Sequence, residues 1–287
     1  KIIYNEKVNG VLKPDFTLIT ERTDKTKASY FGKKLILATG GCASPKLGSD
    51  GSGYVLAKAF GHNIIKPLPA LVSLKSPDKF CKKVSGVRTQ ARVSAYQEAK
   101  FLSCEEGEIL FTDYGISGIP IMQLSRFVSK SLDMGKSVHL ILDLFFKYTE
   151  EELREILINR CKNNPYKSLE EMLVGMFNHK LNHIILKEAK LDLKLPCHKL
   201  SKSDIIKLSK KIKSFPVRIN GSNSFDFAQV TSGGVSTGEI NPYTMESKKK
   251  KNLYLTGELI DVDGTCGGYN LQWAWSTGYI AGTCAWR

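Results

Sequence analysis

The sequence predicts an α/β protein in which one open-sheet domain is interrupted by an inserted domain of a different style. Three observations carry this. Near each end, a short apolar run stops at a glycine loop and resumes as a helix: KKLILATGG leads to YVLAKAFG, and NLYLTGE leads to GTCGGYNLQWAWSTGYIAG. Between them, residues 66–144 alternate apolar and polar as antiparallel strands do, and 149–213 repeat at helical spacing. At Phe225 the chain returns to the glycine-rich style of its first segment. The expected divisions are 1–65 and 225–287 for the split domain and 66–224 for the insert.

Composition bounds what such a protein can do. With 287 residues, 42% of them hydrophobic, there is material for a full core. No apolar stretch reaches the ~18 residues that a bilayer span requires, so a membrane is not an expected partner. The seven cysteines are odd in number, scattered and never spaced C-x-x-C. That pattern argues against a disulfide scaffold or a structural zinc site and fits a reducing cytoplasm. The first ten residues, KIIYNEKVNG, carry neither an initiator methionine nor a signal peptide's apolar stretch, and read as the middle of something longer. A formal charge of +14 raises nucleic acid as a partner. The lysines, however, fall mostly on polar helix positions or in the run Lys248–Lys251, which favours a solvated surface.

In chain order, Asn9-Gly10 offers the positive φ angles of a hairpin turn within an opening β-meander. Leu35–Ala38 is a continuous apolar run, as expected of a strand buried in a parallel sheet. Asp50 or Ser52 is placed to cap the helix that ends at Gly61. Strands are expected over 83–96, 100–104, 108–111 and 138–144, with a turn at Glu106-Gly107 and a helix entered through Ser117-Gly118. An antiparallel sheet or small barrel results. Thr149 with Glu152 and Ser168 with Glu171 are capping boxes, and Leu169, Met172, Leu173, Met176, Phe177, Leu181, Ile184 and Ile185 continue at helical spacing. Ser203 is placed to cap a further Lys-rich helix.

The chemistry concentrates near the C-terminus. Glu258, at the carboxyl end of a buried strand, can accept hydrogen bonds from the hydroxyls of a sugar-like chain. Gly264, Gly267 and Gly268 strip side chains from the backbone just before a helix, so a flat ligand can approach the main chain. There it meets the free N–H groups of Tyr269, Asn270, Leu271 and Gln272 and the positive end of the helix dipole.

Four blocks now carry a resemblance: LILATGGCASPKLGSDGSGYVLAKAFGH, GEILFTDYGISGIPIMQLSR, TSGGVSTGEINPYTMESK and NLYLTGELIDVDGTCGGYNLQWAWSTGYIAG. Together they resemble, in order and over residues 35–282, a bacterial family of NAD(P)/FAD-dependent oxidoreductases of the BaiN and aminoacetone-oxidase type. The resemblance implies a Rossmann-like FAD-binding domain interrupted by a β-barrel-like and helical insertion. It implies that Thr39, Gly40 and Gly41 pass near the cofactor, that Glu258 faces its pyrophosphate and ribitol region, that Gly267 to Gln272 line the pyrimidine side of its ring, and that Gly257, Asp263 and Gly264 belong to the same cofactor site. A small organic substrate is implied, with NAD(P)H or dioxygen as electron partner. The family's opening G-x-G-x-x-G turn has no counterpart here, GSDGSG at 48–53 being misplaced for it, so a truncated member is expected.

Cys266, inside the glycine loop, and Asp113 and Tyr114, before the expected entrance of the second block's helix, are weaker candidates for the chemistry. His179 and His183 share a helix face but lack a third ligand, and no metal is expected. Rival readings are a basic module that binds RNA, a flavoprotein acting on tRNA, or a chain inert without further strands to pair its sheet edge.

Overall fold

The computed structural model describes residues 1–12 and 14–286. They form two compact units, residues 1–70 with 224–287 and residues 71–223, each around its own hydrophobic core. No helix among the described residues is long and apolar enough to cross a membrane.

The first unit opens with an antiparallel meander, β1 (Glu6–Leu12), β2 (Phe16–Arg22) and β3 (Lys27–Gly32). Asn9-Gly10 does not make the expected turn. It lies inside β1, where the register slips between Val8 and Gly10. Val8 and Val11 both pack on the core; an odd separation allows that only if one extra residue is bulged out of a period-two strand. β4 (Leu35–Leu37) is the expected apolar strand, and α1 (Ser52–Ala59) follows with Gly51 at its N-cap in the left-handed region, φ 77°. β5 (Ile64–Ala70) covers prolines that read as a change of domain. The prolines are tolerated because β5 has a neighbour on one side only.

The second unit contains β6 (Leu74–Lys75), α2 (Phe80–Lys83), β7 (Arg88–Gln97), β8 (Lys100–Thr112), β9 (Gly115–Ser117), α3 (Ile119–Asp133) and β10 (Val138–Asp143), then α4 (Glu150–Asn163), α5 (Leu169–Met172), α6 (His179–Glu188), α7 (Lys202–Lys213), β11 (Phe215–Ile219) and β12 (Gly221–Ser222). Its seven strands run in the order β11-β10-β7-β8-β9-β6-β12. The two edges are consecutive in sequence, separated by Asn220 alone, so the sheet curls strongly. No ladder joins β11 to the two-residue β12, and the expected barrel is not closed. α3 packs on β7, β8 and β12 instead, burying Ile121, Leu124 and Val128.

Other details of this unit differ from expectation for local reasons. Residues 80–83 are a helical turn, and the strand expected from 83 starts at Arg88. Glu106-Gly107 is interior to β8; a Cβ at Gly107 would lie 3.1 Å from Pro120 Cγ, so the glycine admits the first turn of α3. The long helical pattern from Leu169 breaks after Met172, where Gly175 takes φ 82°, and restarts at His179 with Asn178 as cap. The boxes of Thr149 with Glu152 and Ser168 with Glu171 are both formed. α7 is capped by Ser201 rather than Ser203, because Ser201 stands three residues before Asp204 and exchanges hydrogen bonds with it.

The chain then returns to the first unit with β13 (Val230–Val235), β14 (Leu253–Leu255) and α8 (Tyr269–Trp286). β13 pairs antiparallel with β5, and β14 pairs parallel with β4, Leu253 opposite Leu35.

Candidate functional site

Three segments of the first unit meet: the loop after β4, the strand β13, and the stretch from the end of β14 to the start of α8. Glu258 sits in a single 3-10 turn directly after β14. Its Oε1 accepts the Thr231 backbone N–H at 2.7 Å. The Thr231 hydroxyl accepts from the N–H groups of Cys42 and Ala43, at 2.8 and 3.1 Å, and donates its own proton to Glu258. All three bonding positions of that hydroxyl are therefore used. A Cβ at Gly41 would lie 2.4 Å from Thr231 Oγ1 and 2.6 Å from Glu258 Oε1, so only glycine fits between them. Burial pushes the Glu258 pKa above the usual carboxylate range; the hydrogen bonds from Thr231 oppose this, and the charge of Asp263 adds to it.

The interior of β13 is built for close approach. The register with β5 slips between Ser232 and Gly234. A Cβ at Gly233, where φ is 102°, would fall 2.4 Å from the Lys66 carbonyl oxygen. Gly233 N–H is free to leave the ladder and donates to Asp261 Oδ1 at 2.9 Å, while Ser232 Oγ lies 3.4 Å from Asp263 Oδ1. β13 thus holds Glu258, Asp261 and Asp263 in place.

α8 holds the same segment from its other side. Gly257, at φ 62°, gives its N–H to Thr277 Oγ1 at 2.9 Å, and its carbonyl accepts from Trp273 Nε1 at 3.0 Å. Asn270 braces the glycine loop reciprocally, accepting from Gly264 N at 2.8 Å and donating to Gly264 O at 3.1 Å. Gly267 and Gly268 take φ of 121° and 91°, and a Cβ at Gly268 would meet nothing within 4 Å. Bare backbone therefore lies open immediately before the first turn of α8, where the helix's positive end concentrates. Tyr269 and Leu271 are exposed there, and Leu271, Trp275, Tyr279 and Trp286 continue as an exposed stripe along α8. The arrangement suits a long ligand with a hydroxylated chain and a planar ring carrying an electron-rich edge. The FAD that the resemblance implies meets this description, and the open glycine backbone beside a strand-end carboxylate is the feature that fits it.

The sequence-derived candidates are distributed as follows. Gly41, Gly257, Glu258 and Asp263 belong to one knot, and Gly264 and Gly267 to Gln272 to the adjoining loop and helix start. Thr39 and Gly40 turn the other way: a Cβ at Gly53 would fall on Thr39 Oγ1, and one at Gly40 would lie 2.5 Å from Ser49 Oγ, so both pack on the loop that enters α1. Cys266 is half-buried in the glycine loop. Asp113 and Tyr114 form the tip of the β8–β9 hairpin in the second unit, and neither precedes a helix directly: α3 starts later, with Gly118 at its N-cap. His183 pairs with Glu170 rather than with His179. Sequence reasoning missed Thr231, Asp261, Trp273 and Thr277. The signal for the first was available: Ser-Gly-Gly inside an otherwise β-forming run marks a strand that another backbone approaches closely.

Residues 1–284 match the family described as "HI0933-like protein Rossmann domain". The chain is 43% identical over 252 residues to a "3-dehydro-bile acid delta(4,6)-reductase" of Clostridium scindens, covering 88% of this chain and 62% of that protein. It is 34% identical over 250 residues to a "Ribosomal RNA dihydrouridine synthase" of Haemophilus influenzae, 86% of this chain and 59% of the relative. A protein of the same description from Escherichia coli is 30% identical over 251 residues, 86% and 59% of the two chains. The chain spans about three fifths of the length of these relatives.

Proposed function

The chain belongs to the HI0933-like family of Rossmann flavoproteins, and from that premise we propose that it is an FAD-dependent reductase of the BaiN type, adding hydrogen across a carbon–carbon double bond conjugated to a carbonyl. The observation that carries this is the knot of Gly41, Thr231 and Glu258 beside the uncovered backbone of Gly267 and Gly268. Bound FAD supplies two-electron hydride chemistry. The residues of this chain bind and tune it. Glu258 accepts hydrogen bonds from the hydroxylated chain of the cofactor. Gly41 lets the loop after β4 close on Thr231 and Glu258 and so sets the position of that carboxylate, with Thr39 and Gly40 fixing the loop on the entrance to α1. Gly267 to Leu271 would present backbone N–H groups to the electron-rich edge of the ring, those of Gly264 and Gln272 being taken by Asn270 Oδ1 and the Gly268 carbonyl, and the helix dipole, about half a unit charge, would favour the negative charge that reduction brings.

The relatives support the reaction type. One name denotes reduction of double bonds in a 3-oxo steroid acid and the other conversion of uridine to dihydrouridine, and both add a hydride and a proton to a ring C=C. NAD(P)H is the proposed hydride source, which balances the two electrons. The test is anaerobic: NADH or NADPH should bleach the visible absorption of the FAD-loaded protein, and an α,β-unsaturated ketone should restore it. Bleaching by a primary amine, with no response to NADH or NADPH, would indicate an amine oxidase instead.

The names of two relatives favour a second reading, in which the reduced ring is a uridine within RNA. The charge of +14 suits it. RNA binding would then show log K falling linearly with log salt concentration, with a slope set by the number of phosphate contacts; a small neutral enone would show no such slope.

A further inference from the structure

The second unit holds a cavity that the flavin chemistry does not use. It has a volume of about 680 Å³, well within the range of small-molecule sites, and lies between α4, α7 and the 3-10 turn Cys197–Lys199. Arg154, Ile158 and Lys162 follow one another at four-residue spacing on α4, so one helix face presents them together. Leu153 and Leu157, one residue round the helix and in line with Cys161, are fully buried, whereas Ile158 remains 37% exposed. From α7, Ile205 and Ile206 complete the apolar wall, and Ile206 is likewise 37% exposed. The thiols of Cys161 and Cys197 close the floor. Burial, with Cys197 alongside, pushes Cys161 up to about 12, so its thiol stays protonated and acts as apolar wall.

The rim has the opposite character. Every ionisable side chain around the cavity other than those thiols is basic: Arg154, Lys162, His198 and Lys202. Arg154 is partnered by Glu151 at 2.6 Å. His198 Nδ1 lies 2.9 Å from the Pro165 carbonyl, which can only accept, so Nδ1 carries the ring proton and Nε2 faces the rim as an acceptor. An exposed Tyr166 stands edge-on to the same imidazole at 5.7 Å. A cavity with aliphatic walls and a one-sign rim matches a ligand with an apolar body and a negative head.

We propose that this cavity binds an amphipathic carboxylate, its hydrocarbon body against Ile158, Leu200, Ile205 and Ile206 and its head group at Lys162 and Lys202. The site is separate from the flavin reading and stands or falls without it. The test is calorimetric titration of the full chain, without added flavin, with decanoate and with decanol as the uncharged analogue of equal length. Decanoate should bind saturably at one site, and dodecanoate roughly tenfold more tightly, as burial of two further methylenes requires. Decanol, and decanoate titrated into a Lys162→Glu/Lys202→Glu variant, should each bind at least about tenfold more weakly. Ile206→Asn, at a half-exposed position, should weaken binding with the melting temperature unchanged. Absence of saturable decanoate binding, equal binding of decanol, or indifference to the two charge reversals would overturn the proposal. So would a short RNA that binds with the same lysine dependence while decanoate does not.

Discussion

Glu258 is held by both the amide and the hydroxyl of Thr231, and burial raises its pKa above the usual carboxylate range. Its raised pKa means that the folded state binds the proton more tightly than the unfolded chain does. The stabilisation is complete below the ordinary glutamate pKa and is lost as pH rises through the folded value. Glu258→Gln, which keeps an acceptor for Thr231 without the charge, should therefore gain melting temperature relative to the native protein as pH increases from 4.5 toward neutrality, about the model-peptide value upward. A constant difference across that range would show that the acid is not strained by burial. Gly41 tests the same knot sterically. Gly41→Ala puts a methyl group 2.4 Å from Thr231 Oγ1, and should cost about 1–3 kcal/mol in urea unfolding. Gly10→Ala, where a Cβ meets nothing within 4 Å, should be neutral or slightly stabilising by comparison.

At the scale of elements, the segment that leads into β14 is anchored by a buried relay. His62 Nε2 lies 2.7 Å from Ser247 Oγ, and His62 Nδ1 lies 2.9 Å from Glu239 Oε2. Ser247 Oγ also accepts from the N–H groups of Lys249 and Lys250, both at 3.0 Å. With both lone pairs taken, the serine must donate to Nε2, so the imidazole proton sits on Nδ1 and is given to Glu239. Ser247→Ala leaves the buried His62 Nε2 and the N–H groups of Lys249 and Lys250 without this partner and should destabilise by about 1–3 kcal/mol in chemical denaturation. The helix caps give a smaller effect: Ser201→Ala should cost about 1 kcal/mol through the first turn of α7, and Ser203→Ala close to nothing. That contrast also shows where local sequence is readable. The boxes of Thr149 with Glu152 and Ser168 with Glu171 and the apolar run before Thr-Gly-Gly act through neighbours in the chain and were legible, whereas the box of Ser201 with Asp204 was passed over for Ser203. Asn9-Gly10 was not, because the demand that Val8 and Val11 face one core overrode the local turn preference.

Across the whole molecule, the features that escaped the sequence are those made by distant pairing. Thr231 completes the loop after β4 through Cys42, 189 residues away, and nothing near either residue announces the other. The curled, unclosed sheet depends on β6 and β12, each two residues long and too short to leave a pattern. The alternation of strand, glycine loop and helix at both ends was visible because each break falls within a few residues of the run that it ends. The compact units divide at 70/71 and 223/224, against 65/66 and 224/225 from the sequence, because the prolines of β5 read as a linker while their backbone pairs with β13. The central claim is that Gly41, Glu258 and the glycine loop before α8 hold a flavin, and the most direct measurement is FAD retained by the purified chain after gel filtration, read from the visible absorption of the protein peak. The account predicts stoichiometric flavin on the native chain and at least about tenfold weaker affinity for Glu258→Ala. A native chain that elutes without flavin, or a Glu258→Ala variant that retains it equally well, would contradict it.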